Sequence, residues 1–254
     1  MKLSACIEWL FADEAETFAD RIKLAHRHGV EAVEFWRWTN KDIGSIEWAL
    51  NETGIELASF VAEPMIPLTD RANQAAFLEG LKRTIEVARR LGARTLIAQA
   101  GDDLAGKSRE EQRAALTETL SRAGEVLADS GVRLGVEPLN TLIDHVGYFL
   151  GSTREGLDIV KETGRPEIGI IYDIYHSAVM GEDTATVIGG DIDKVFHVHI
   201  ADHPGRNEPG SGSVDLKARA DWLVAQGYRG ALGLEYRPTQ ASAQTIEQTR
   251  RLLG

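Results

Sequence analysis

One cysteine, Cys6, is present in 254 residues, so no disulfide forms within the chain and the sequence suits a reducing compartment. Positive charge is also scarce: 28 Lys and Arg against 39 Asp and Glu leave a formal net charge of −11. Nucleic acids and anionic membrane surfaces both demand clustered cations, so neither is expected as a partner. No apolar run approaches the roughly 18 residues a membrane span needs. The opening Met1–Glu8 has too short an apolar stretch for a secretory signal, and acidic residues follow at once. Linkers and low-complexity stretches are missing as well, so residues 1–254 read as one domain. The expectation is a cytoplasmic protein acting on a small polar molecule.

What is present is a recurring punctuation: an amphipathic segment, a glycine, then a short apolar run rich in β-formers. Gly29, Gly54, Gly92, Gly131, Gly164 and Gly227 each stand at such a junction, where glycine supplies the left-handed residue that closes a helix. Helical periodicity places Phe18, Ile22 and Ala25 on one face, Leu78, Leu81, Ile85 and Ala88 on another, and Leu116, Leu120 and Leu127 on a third. Ser108 with Glu111 and Ser152 with Glu155 have capping-box spacing at two helix starts. Eight strands are predicted, over 2–9, 32–36, 55–62, 95–100, 132–137, 168–173, 195–200 and 230–236. A weak helix is expected at Asp183–Gly190. Eight alternating units in about 250 residues predict a single (β/α)₈ TIM barrel; a doubly wound open sheet is the competitor.

Four of these runs end in a group able to hold a metal: Val132–Glu137, Gly169–Asp173, Phe196–His199 and Ala231–Glu235. A charged group at the end of a buried strand is costly unless something compensates it. Each alone reads as a helix cap or an ion-pair partner. Four on successive parallel strands converge at the carboxyl ends, where both competing folds place ligands. Three carboxylates and an imidazole form a hard donor set suited to one divalent ion, Mg²⁺, Mn²⁺ or Co²⁺, rather than to structural zinc. Glu137 and Glu235 would then serve as an acid/base pair for isomerisation or epimerisation beside a carbonyl.

Two residues before these terminators lie Gly135, Ile171, His197 and Gly233, and the two glycines are expected to leave room beneath an ion. His197 reads as a satisfied core histidine. Arg206, in the polar stretch Ala201–Gly212, reads either as a forked clamp on a substrate carboxylate or as part of a solvated loop. His176 reads as a donor to a substrate oxygen or as a supporting residue. Arg37, Trp38 and Lys41 read either as shaping the entrance or as covering the barrel rim, the rim being the expectation.

The runs Val136–Asn140, Tyr172–His176, His197–Asp202 with Pro204–Arg206 and Glu208–Gly210, and Leu234–Pro238 resemble the xylose isomerase-like TIM barrels, in particular the hydroxypyruvate isomerase branch. The resemblance runs from Val33–Phe35 to the final helix. It implies a metal held by Glu137, Asp173, His199 and Glu235, the two glutamates as acid and base, and substrate oxygens met by His176 and Arg206. It also implies a short hydroxy-oxo acid as substrate, such as hydroxypyruvate or a 2-oxo-tetronate, and leaves a homo-oligomer open. Members of that branch often carry Gln where His199 stands, a feature this chain shares instead with ketose epimerases. The loops Trp36–Lys41 and Glu63–Pro67 also depart from the branch pattern. Ketose 3-epimerisation, decarboxylation or lysis of a 3-oxo sugar acid, DNA-repair hydrolysis and ligand sensing by an inert barrel are the alternatives.

Overall fold

The computed structural model describes all 254 residues. Strands β1 (Leu3–Cys6), β2 (Ala32–Glu34), β3 (Glu56–Val61), β4 (Thr95–Gln99), β5 (Arg133–Glu137), β6 (Ile168–Asp173), β7 (Val195–Ile200) and β8 (Leu232–Leu234) pair in parallel, in chain order. Because β8 returns to pair with β1, the sheet is closed and the open-sheet competitor falls. Around it lie α1 (Phe18–Arg27), α2 (Ile43–Thr53), α3 (Gln74–Leu91), α4 (Arg109–Leu127), α5 (Thr153–Thr163), α6 (Ile174–Val179), α7 (Thr184–Ile188), α8 (Leu216–Ala225) and α9 (Ser242–Leu253). No helix is long and apolar enough to cross a membrane.

Alternation along each strand separates two environments. Outward residues such as Val136, Ile170, Val198 and Leu234 join a 60-residue apolar cluster against the helices. That cluster takes in Ile22 and Ala25 of α1, Leu81, Ile85 and Ala88 of α3, and Leu116, Leu120 and Leu127 of α4, while Phe18 and Leu78 are only partly buried. Each fully buried Leu or Ile contributes about 1.5–3 kcal/mol. Inward residues are of another kind: Val61, Ile97 and Ile171 form a separate small cluster beneath Trp36, and polar side chains fill the rest.

The helix-closing glycines behave as the punctuation requires. Gly54 and Gly92 adopt φ of 70° and 75°, and their amides bond back into α2 and α3. Ser108 forms the complete capping box with Glu111. At Ser152 only half of it forms, because Glu155 turns to Arg109 while Glu182 accepts the Thr153 amide. Strand β1 ends at Cys6, earlier than the apolar run, since the Trp9 and Leu10 amides turn back onto the Cys6 carbonyl. Helix α6 was not legible as a helix start: Asp173 terminates β6 and immediately caps the next turn, its Oδ1 accepting from the Tyr175 and His176 amides.

Candidate active site

The four polar terminators meet at the carboxyl end of the barrel. Glu137 closes β5, Asp173 closes β6, His199 is the penultimate residue of β7, and Glu235 follows β8 directly. A register shift between Ile170 and Ile171 sets Asp173 beside His199, and His199 in turn beside Gly233. One ligand atom from each of the four lies within 4.8 Å of those of the others, and all four residues are buried. His199 Nδ1 is 3.0 Å from Glu137 Oε1 and 3.7 Å from Glu235 Oε2.

Charge is crowded here. Burial, with the charges of Glu235 and Asp173, pushes the Glu137 carboxyl up to about 7 against the opposing pull of His199. Burial disfavours a charged His199, yet the carboxylates of Glu235 and Glu34 outweigh it and hold the imidazole well above the usual histidine range. Asp173 spends Oδ1 on the α6 cap, and its buried Oδ2 has no hydrogen-bond partner. An orphaned carboxylate oxygen among two other carboxylates and an imidazole is what a divalent cation satisfies. The residues therefore fit one such ion.

Arg206 enters this cluster rather than solvent. It is held at a φ of 56°, uncommon for a residue with a side chain, by a loop that Asp202 organises. Asp202 accepts from the amides of His203, Gly210 and Val214. The guanidinium Nη2 donates to Glu235 Oε2 at 2.8 Å and lies 3.8 Å from Asp173 Oδ2, while its buried Nε is unpartnered. Burial opposes the charge, but Glu235 and Asp173 raise the guanidinium above its ordinary value. The faces of Trp9 and Tyr175 lie 5.0 and 5.3 Å from it.

His176 is buried beside Asp173. Its Nδ1 accepts from the Asn140 amide at 3.2 Å, which assigns the proton to Nε2. Burial and the Arg206 charge hold His176 well below the usual histidine range, so the ring is neutral with an unpartnered N–H 3.5 Å from Asp173 Oδ2. A cavity of about 320 Å³ opens over these groups, walled by Trp9, Trp36, Gln99, His145 and Arg237. A larger cleft of about 700 Å³ lies against Arg94, Arg133 and Arg229 at the strands' amino-terminal end and touches none of the four terminators.

Several residues were assigned differently from their sequence reading, or missed. The space at Gly135 is filled by the Ile171 side chain, which a Cβ would approach to 2.5 Å, and that at Gly233 by Glu34, His197 and His199. Both glycines thus admit neighbouring side chains and not room for an ion. His197 is a satisfied core histidine, 2.8 Å from Glu34 Oε2. Of that trio, Arg37 lines the cavity mouth, as the entrance reading has it, but the Lys41 side chain is tucked inward, paired with Glu8 at 2.7 Å over the Phe18 and Phe35 rings. Trp36 was missed: its indole Nε1 donates to Glu235 Oε1 at 2.7 Å. Glu34 was also missed, although it ends an apolar strand as the other terminators do.

Comparison with known proteins adds a family. A family model described as xylose isomerase-like TIM barrel matches residues 22–253. The chain is 29% identical over 272 residues to hydroxypyruvate isomerase of Escherichia coli, covering 98% of this chain and 100% of that protein. It is 29% identical over 262 residues to 2-oxo-tetronate isomerase of Cupriavidus necator, covering 100% and 99%. Among solved structures, an AP endonuclease, family 2, from Brucella melitensis superposes with a TM-score of 0.91 at 27% identity, covering 98% of each chain.

Proposed function

We propose, because this chain belongs to the xylose isomerase-like TIM barrel family, that it is a metal-dependent isomerase of a short hydroxy-oxo acid. Hydroxypyruvate, interconverted with tartronate semialdehyde, and 2-oxo-tetronates are the substrate class, in keeping with the names its relatives carry. The observation that carries this reading is the convergence of Glu137, Asp173, His199 and Glu235 around an orphaned carboxylate oxygen. A bound Mg²⁺, Mn²⁺ or Co²⁺ would polarise the substrate carbonyl and offset the negative charge of the enediolate.

The remaining work falls to side chains. In the hydroxypyruvate direction one glutamate takes a proton from C3 and the other delivers one to C2, while the hydroxyl proton moves from O3 to O2. The formula is unchanged. Glu137, buried and 3.0 Å from His199 Nδ1, is one of the two carboxylates that would carry the proton. Glu235 is held by Trp36 and Arg206 on its two oxygens, which fixes its direction of approach. The free Nε of Arg206 meets a substrate carboxylate or hydroxyl, and the Nε2–H of His176 donates to a second oxygen.

The resemblance of His199 to the ketose epimerase pattern leaves one second reading, 3-epimerisation of a ketose, which needs the same two glutamates. A nucleic acid substrate, the implication of the endonuclease neighbour's name, sits poorly with a net charge of −11. Proton NMR in D₂O of metal-loaded protein with hydroxypyruvate, 2-oxo-tetronates and ketoses separates these outcomes. Deuterium entering beside the carbonyl of a hydroxy-oxo acid, with its aldehyde isomer forming, supports the proposal; exchange confined to C3 of a ketose, carbon dioxide release or no turnover refutes it.

A further inference from the structure

Below the four terminators, on the side away from the cavity, a buried cluster takes no part in the proton transfers described above. Glu34, at the end of β2, points into the barrel and is 2% exposed. Its Oε2 accepts from the Ser4 hydroxyl at 2.8 Å and lies 2.8 Å from His197 Nε2. Its Oε1 lies 3.2 Å from His199 Nε2, a contact less well aligned than a regular hydrogen bond, and has no other partner. A Cβ at Gly233 would come within 2.5 Å of Glu34 Oε1, 2.6 Å of His199 Cδ2 and 2.8 Å of His197 Nε2. The glycine is therefore what lets the three side chains meet.

The two nitrogens of His199 face different partners. Nδ1 looks toward Glu137 and Glu235, and Nε2 looks toward Glu34. A nitrogen that ligates a metal carries no proton, whereas an ionised carboxylate only accepts. With a cation among the carboxylates and Glu34 opposite Nε2, the proton that remains on the ring belongs on Nε2 and the lone pair on Nδ1 turns toward the carboxylates.

We infer that Glu34 is a positioning residue that fixes the tautomer and ring direction of His199, so that Nδ1 is the nitrogen offered to the cation. Ser4 and His197 anchor Glu34 from the other side. A second ion among Glu34, His197 and His199 is not needed, because donors already surround the carboxylate and His199 has one lone pair to give. The inference rests on the metal reading above and predicts one ion per chain.

The test combines two measurements on the full chain. In Zn²⁺-loaded wild type with ¹⁵N-labelled histidine, multiple-bond ¹H–¹⁵N spectra should show His199 protonated at Nε2 and bare at Nδ1; the reverse tautomer overturns the inference whether or not any variant folds. Mn²⁺ affinity, followed by electron paramagnetic resonance, should fall about 10- to 100-fold in Glu34→Gln, because the amide presents a donor to one of the histidine N–H groups. Circular dichroism checks that this variant is folded. Wild type that binds neither ion overturns the metal reading itself. Wild type that binds Mn²⁺ no more tightly than a folded Glu34→Gln overturns the role of Glu34 alone.

Discussion

Trp36 and Glu235, 199 residues apart, are joined by an indole N–H to carboxylate hydrogen bond of 2.7 Å at the mouth of the barrel. Arg206 holds the other oxygen of the same carboxylate at 2.8 Å. Glu235 is thus fixed in direction by two donors that reach it from different loops. A hydrogen bond to a charged group is worth roughly 1.5–3 kcal/mol. Trp36→Phe keeps the cavity wall but removes one donor, and kcat is expected to fall about ten- to a hundredfold. Steady-state kinetics with unchanged Mn²⁺ affinity would show positioning; an unchanged kcat would show that Arg206 suffices.

Glu137 is bound by fewer partners, and burial with neighbouring carboxylates keeps its carboxyl near 7. Glu137→Gln preserves shape but transfers no proton. Turnover should drop by about 10²–10⁴, the usual share of general acid–base catalysis. Deuterium exchange beside the substrate carbonyl, read by NMR, should vanish with it, and retained exchange would remove Glu137 from the reaction.

Glu63 organises the loop after β2. Its buried carboxylate accepts from Arg37 Nε at 2.8 Å, from the Thr39 hydroxyl at 2.8 Å, and from the Trp38 and Thr39 amides at 2.9 Å each. Burial opposes the charge, yet the Thr39 amide and Arg37 outweigh it and lower its pKa below 4.5. A depressed carboxylate stabilises the fold above its unfolded value and loses that contribution as pH falls through the folded one. Glu63→Gln should therefore cost about 1–3 kcal/mol in urea denaturation at pH 7. The gap between the two proteins should narrow as the pH falls through the lowered Glu63 value, beneath the usual glutamate range.

A resident ion should also show in stability. Saturation at about a hundredfold excess over Kd adds roughly 2.7 kcal/mol, and for a chain of this size that moves Tm upward by about 5–10 °C. Differential scanning calorimetry of chelator-treated protein, before and after Mn²⁺, should show this shift. Asp173→Ala should abolish it, since it removes the unpartnered Oδ2.

The barrel was legible because its signals are local: glycines such as Gly54 and Gly92 close helices, and apolar runs mark strands. The four terminators were legible because each breaks an apolar run with a charge. Trp36 was not, since an aromatic after a strand reads as core and its bond to Glu235 exists only once β8 closes onto β1. Glu34 gave the same signal as the terminators, but its strand has three residues, and its two histidines lie 163 and 165 positions away in β7. Gly135 misled because sequence shows an absent side chain and not the Ile171 chain that fills the space.

The most direct measurement follows turnover of hydroxypyruvate while metal-free protein is titrated with Mn²⁺. Activity should rise from nothing and level off at one ion per chain, with Glu137→Gln about 10²–10⁴ slower at every point. Full activity in chelator, or activity indifferent to added Mg²⁺, Mn²⁺ and Co²⁺, would contradict a cation held by Glu137, Asp173, His199 and Glu235.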